Sequence, residues 1–257
     1  MKIVAIALNT YREALRNKLL YSVLFFAAFL VGVSALFSSV TLGDQIKVIK
    51  DFGLFSLSFF GALATIITGV SLLNKELKQK TIYNVISKPV RRSEFIVGKY
   101  LGITLSVGLL VLLMGVGLMI FIAIFEHHFD RHLLIGVLLA VLEVAVVASV
   151  SMFFSAIVVT TTLSGLFTLA AYIAGHSIQY LKYFLHQDPQ INPALAGLIR
   201  VFDLILPDLS LFNMADAIVY GRPIPLQILL SSGIYAITYS TIALILAAAI
   251  FSRRELN

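Results

Sequence analysis

The 257-residue chain has no cysteine and no tryptophan, and only 12% of its residues are charged. Without cysteine it forms no disulfide, offers no thiol chemistry and builds no thiolate metal site, and its redox compartment leaves no trace in the sequence. The scarcity of charge excludes more. A soluble domain carries about 25% charged residues, so this chain has too few to cover a water-facing surface. Proline is also rare, and five of the six prolines (Pro189, Pro193, Pro207, Pro223 and Pro225) are confined to one late segment.

What is present is apolar. Hydrophobic residues make up 60% of the chain, and the mean hydropathy is +0.99. The class is a polytopic membrane protein. Net charge is +6, but in such a protein the placement of Lys and Arg matters more than their sum. The N-terminus does not read as a secretory signal, since Thr10–Lys18 is polar and no A-x-A-like site comes after the first apolar run.

One stretch cannot be lipid-embedded: Lys75–Lys99 holds Lys75, Lys78, Lys80, Lys88, Arg91, Arg92 and Lys99, seven of the nineteen Lys and Arg. Long apolar runs flank it, so it reads as a basic cytoplasmic loop between two spans. Spans are expected at about Leu19–Val40, Phe52–Leu73, Phe95–Phe125, Leu133–Val158, Thr162–Tyr180 and Leu226–Phe251, each near or above the roughly 20 residues a bilayer core requires. The third is long enough for its first turns to protrude into the cytoplasm, and the fourth and fifth form a tight hairpin.

Two further segments complete the layout. Residues 1–18 place Val4, Leu8, Tyr11 and Leu15 on one helical stripe, too short and too charged to span, and fit an amphipathic helix lying in the membrane interface. Residues 181–225 repeat Leu195, Leu198, Ile199, Phe202 and Ile205–Leu206 at helical spacing, with Arg200 and Asp203 on the other side. This segment reads as short helices broken at Pro207, docked on the outer mouth to line or plug a vestibule, because irregular backbone at membrane depth survives only where protein or water satisfies it. Asp208 and Asp216 are expected as helix caps. The whole chain, 1–257, is one all-α transmembrane domain: six transmembrane helices, an N-terminal interfacial helix and a broken, re-entrant segment before the last span. With both termini inside, the inner segments hold 13 Lys and Arg and the outer ones 6, as the positive-inside rule requires.

The basic loop has internal order beyond charge. Thr81–Ile86 carries Ile82, Val85 and Ile86 on one face, so it can form a short amphipathic helix that Ser87–Lys88–Pro89 ends. Ser93, beside Glu94, is placed to cap the third long helix.

At these residues the sequence resembles the membrane subunits of type-2 ATP-binding-cassette exporters. Their loop reads E-x-x-x-G-T-L, then L-L-S-x-P-x-x-R, then G-K. The matching positions here are Glu76, Thr81, Ile82, Val85, Ile86, Ser87, Pro89, Arg92, Gly98 and Lys99; Lys80 stands where the family has glycine. Leu206–Asn213 also looks like the family's proline-containing stretch. The resemblance implies an ATPase-coupling helix, with Glu76, Thr81, Ile82, Val85, Ile86, Pro89, Arg91 and Arg92 as the contact to a separate cytoplasmic ATPase. It also implies a second permease copy and localisation in a prokaryotic inner or plasma membrane. The chain itself has no G-x-x-x-x-G-K-[ST], so ATP and Mg are expected on the partner chain, with no cofactor, metal or nucleic acid bound here.

Glu143, about ten residues into the fourth span, is the sharpest single residue, since an ionisable group there costs a few kcal/mol or more unless paired. It reads either as a contact on the translocation path for a polar or cationic group, or as a protonated or hydrogen-bonded contact to a Ser or Thr of another helix. His176 in the fifth span is the other path candidate, weighed against plain packing. His127, His128 and His132 with Glu126 and Asp130 read as a solvated turn rather than a metal site. The glycines Gly98, Gly102, Gly108, Gly115 and Gly117 mark close helix packing. With Glu143 and His176 each alone in its span, no nucleophile–base spacing supports an enzyme. The functional expectation is an exporter permease moving lipid-like or amphipathic cargo. The rivals are an accessory anchor that recruits an ATPase to mature another protein, and an ion-coupled carrier using Glu143.

Overall fold

The computed structural model describes residues 2–38, 45–78, 91–126, 130–158, 160–187 and 193–253. Among them there are nine α-helices, one 3₁₀ turn and no strand. In order they are α1 (Lys2–Leu15), α2 (Lys18–Ser38), α3 (Gln45–Lys78), α4 (Arg92–Glu126), α5 (Arg131–Ile157), α6 (Thr161–Gln187), α7 (Pro193–Ile205), the 3₁₀ turn Leu209–Phe212, α8 (Ala215–Val219) and α9 (Leu226–Arg253).

Four helices are by themselves long and apolar enough to cross a bilayer: Gln45–Leu72 in α3, Arg92–Ile124 in α4, α5 and α9. The 21-residue α2, where the first span is expected, meets the same test only jointly with α1 across a 61° bend. The fifth expected span is α6, 27 residues long, or about 40 Å at 1.5 Å per residue. Its length suffices, but it is less apolar than the other four, because Tyr172, His176 and Ser177 sit in its middle. Each expected span thus falls on a helix, but four of these helices are apolar enough to cross a bilayer by themselves, or five spans if α1 and α2 count as one across the bend. At 34 and 35 residues, α3 and α4 exceed the hydrocarbon thickness by roughly 20 Å.

The centre of the bundle is α3, α4 and α5. Gly61 lies against Val144 and Gly136 against Leu54, so α3 and α5 run parallel, while Gly53 against Leu118 and Gly61 against Val111 set α4 antiparallel to α3. In lipid the hydrophobic effect does not draw helices together, so approach at small residues and close packing carry the association. The five glycines expected to mark packing in α4 divide. A Cβ at Gly102 would come within 2.5 Å of Thr10 and 2.7 Å of the Ala7 carbonyl, and one at Gly115 within 2.5 Å of Val137, while Gly98 lies against Ile6 at 2.8 Å. Gly108 is buried but a Cβ there would meet only an ordinary contact at 3.7 Å, and Gly117 has open space, so neither position requires glycine for close approach. Helical phase explains the outcome: two residues separate Gly115 from Gly117, which turns the latter toward the outside.

Gly98 and Gly102 seat α1 on the first turns of α4. The face of α1 that packs is Ala7, Thr10 and Ala14, whereas Val4 and Leu8 on the expected stripe are 68% and 48% exposed. Lys99, only 1% exposed, has its Nζ 3.9 Å from the Glu13 carboxylate and 5.8 Å from the Phe95 ring centre. The same junction receives the end of α9. Arg92 donates to the carbonyls of Phe251 at 3.1 Å and Ser252 at 2.9 Å, where a cation also meets the negative end of the helix, and Phe95 stacks on Phe251 with ring centres 6.1 Å apart. Ser93 does not cap α4: the Glu94 carboxylate reaches back to the Arg91 N–H at 2.9 Å, the third-position half of a capping box.

At the opposite end, Asp130 accepts from the His132 N–H at 2.9 Å as the N-cap of α5 and binds Lys50 Nζ at 2.8 Å. Burial alone would raise the Asp130 carboxyl, but the Lys50 ammonium and the His132 N–H outweigh it, and it titrates below its usual range. His127 and His128 lie outside the described residues, and no group of three His, Asp or Glu side chains among the described residues converges for a metal.

The late segment is interrupted at Pro207 as expected, and it continues as a 3₁₀ turn and a five-residue helix. The backbone there is satisfied by α9. Tyr239 donates to the Ile205 carbonyl at 3.0 Å, Ser232 to that of Leu211 at 3.2 Å, and the Asp208 N–H donates to the Tyr235 hydroxyl at 2.7 Å. Asp208 does not cap the turn with its side chain; its carboxylate binds Lys182 at 2.8 Å. Asp216 lies in the first turn of α8, after the capping position Met214. The α8 helix ends in a Schellman motif, with Arg222 N–H to the Ala217 carbonyl, Gly221 N–H to that of Ile218, and Gly221 at φ +63°. The apolar face of α7 is only partly covered: Ile199 is buried, whereas Phe202 and Ile205 are 51% and 64% exposed.

This packing can be tested at two positions. Gly115→Val should lower the thermal midpoint in detergent by the equivalent of about 1–3 kcal/mol, the range for overpacking, while Gly117→Val leaves it nearly unchanged; equal shifts would contradict the packing. Because the folded Asp130 carboxyl lies below its unfolded value, its contribution is present at neutral pH and is lost as pH falls through the folded pKa. Asp130→Asn should therefore destabilise at pH 7, and its midpoint should converge on that of the parent in acid.

Candidate functional site

Midway along α5, Glu143 is 3% exposed. Three helices supply its surroundings. Ser58 of α3 lies 2.9 and 2.8 Å from the two carboxylate oxygens, and His176 Nε2 of α6 lies 2.9 Å from Oε1. Tyr172, one turn before His176 and therefore on the same helical face, has its hydroxyl 3.4 Å from Ser58 Oγ and meets the His176 ring edge-on at 4.8 Å. A neutral imidazole protonated on Nε2 donates to the carboxylate, as does the Ser58 hydroxyl.

Glu143 is thus hydrogen-bonded between helices, and it also lines a cavity of about 590 Å³. The wall of this cavity comes from α3 (Asp51, Phe52, Phe55, Ser58, Phe59), α5 (Gly136, Ala140, Glu143), α6 (Tyr172, Ile173, His176, Ser177) and the broken segment (Phe212, Asn213, Met214). Phe55 and Ile173, 53% and 58% exposed, form a rim toward the outside of the bundle. The broken segment thus lines the cavity, and Gly175 lets it approach: a Cβ there would come within 2.5 Å of the Pro207 carbonyl oxygen.

Along the chain Glu143 and His176 stand apart, each alone in its helix, and the fold pairs them. Ser58, Tyr172 and Asp51 carry no sequence signal of their own; only the low apolarity of α6 hints that one of its faces meets something polar. The trio is not a hydrolytic triad. In a triad the imidazole stands between serine and carboxylate and takes the serine proton, whereas here the carboxylate stands between the other two.

Of the residues expected to contact an ATPase, Arg91 is the exposed N-cap of α4 and Arg92 clamps α4 to α9. Glu76 falls within α3. Thr81, Ile82, Val85, Ile86 and Pro89 lie outside the described residues.

The chain matches the family model described as ABC-2 family transporter protein over residues 5–256. It belongs to that family and is an integral membrane permease component of an ATP-binding-cassette transporter, a family that associates with an ATP-binding-cassette ATPase subunit. No curated protein matches it significantly.

Glu143→Ala would leave Ser58 and His176 without their shared partner, at about 1–3 kcal/mol for each unsatisfied group. Its thermal midpoint should fall well below that of Glu143→Gln, whose amide still reaches both. Equal midpoints would show that the trio contributes nothing to stability.

Proposed function

We propose that this permease is the transmembrane part of an exporter, working as a pair of copies and moving a lipid-like or amphipathic substrate outward with ATP hydrolysed on a separate cytoplasmic subunit. Both termini then face the cytoplasm of a prokaryotic cell, in agreement with the 13-to-6 bias of Lys and Arg. Glu143 and His176 are the path residues in this reading, and the segment around Thr81–Ile86 is the coupling helix.

The observation that carries the proposal is the junction at the start of α4. The segment joining α3 to α4 leads directly into Arg92, which holds the end of α9, and into Gly98, Lys99 and Gly102, which hold α1. A push on that segment by a closing ATPase would reach α1, α4 and α9 as one unit, while α3 and α4 carry it to the cavity. Coupling in this sense needs a rigid element that both sites bias.

The test is gentle purification of the tagged chain with an ATPase assay of what accompanies it. The expected result is a stoichiometric nucleotide-binding subunit that is lost from Ile82→Asp and Arg91→Glu variants. These substitutions spare Arg92, so loss of the partner cannot be blamed on the α4–α9 clamp. An ATPase still bound and active in both variants would overturn coupling through this segment.

A further inference from the structure

The wall chemistry of the Glu143 cavity narrows the cargo. We propose that this cavity binds an amphipathic organic cation, an amine or onium group on an aromatic or aliphatic body; the inference rests on the reading of the cavity as the substrate path. At about 590 Å³ it falls in the size range of sites for drug-sized ligands. Five aromatic rings stand in its wall, with Phe55 and Phe59 stacked at 5.4 Å and only 11° apart. Ring faces attract a desolvated cation through their quadrupole and repel an anion.

Charge points the same way. Two carboxylates, Asp51 and Glu143, line the cavity, and among its described lining residues there is no lysine or arginine. The bases nearest in sequence on α3 are directed to other partners: Lys50 to Asp130 at 2.8 Å and Lys47 over the Tyr220 ring at 5.4 Å. Ser58 and His176 hold the Glu143 carboxylate in place, and two oxygens with about four acceptor positions leave room for a further cationic partner. An organic anion would meet two carboxylates with no lysine or arginine on the wall to offset them. A sugar would meet mostly rings and aliphatic side chains.

The experiment uses the full chain in nanodiscs with radiolabelled tetraphenylphosphonium, binding to empty nanodiscs being subtracted. The competitor is triphenylphosphine oxide, aromatic in the same way but uncharged. The expected result is saturable binding, competition by the oxide at least ten-fold weaker than by unlabelled cation, and at least ten-fold weaker binding to Glu143→Gln. Phe55→Ala, at the exposed rim where folding is not at stake, should weaken binding several-fold. Equal competition by the oxide, with binding still weakened by Phe55→Ala, would overturn the cation while leaving the cavity as a binding site; unchanged binding to both variants would put the probe elsewhere and overturn the proposal. No saturable binding of either compound would overturn the cation and the path reading together, yet an ATPase still co-purifying would leave the coupling reading standing.

Discussion

A carboxylate inside a bilayer has no water to fall back on. Left alone at the middle of α5, Glu143 would cost several kcal/mol, and the bundle meets this by bringing Ser58 from α3 and His176 from α6 to within 3 Å of it. Three helices are thereby held in one relative depth and rotation. The cavity exists because those helices meet at polar atoms rather than at close-packed aliphatic ones, and the Phe52, Phe55 and Phe59 rings of α3 fill out its wall.

The same constraint shapes the late segment. Pro207 ends α7, and a broken backbone in an apolar setting must find partners for its freed groups. Tyr235, Tyr239 and Ser232 on one side of α9 supply them, and Gly175 allows the Pro207 carbonyl to approach α6. The segment is consequently a fixed part of the cavity wall. Its position joins the cavity to the last helix, whose far end is tied by Arg92 to the start of α4.

The two ends of the bundle are therefore built differently. One is a junction of α1, α4 and α9 made from small residues, a buried lysine and an arginine on helix carbonyls. The other is a ring of local ion pairs and caps, with Lys50 on Asp130 and Lys182 on Asp203 and Asp208. Between them lies the Glu143 trio, two of whose helices, α3 and α5, pack against α4.

Much of this was readable from the chain. Apolar runs of membrane length placed the helices, because hydrocarbon thickness sets the length of any span; the break at Pro207 came from proline's missing donor; and an ionisable residue in an apolar run marked Glu143 without any structure. The family was legible in the spacings of the basic loop and across the whole chain. Tertiary structure alone decided which residues answer Glu143, since Ser58 and His176 lie 85 and 33 positions away and a serine or histidine in a span announces no partner. It also separated Gly115 from Gly117 and Glu94 from Ser93, because rotation about a helix axis and reach to a free N–H depend on neighbours that a linear pattern does not contain. Membrane length and charge are properties of a segment, whereas pairing across helices is a property of how the segments are turned toward one another.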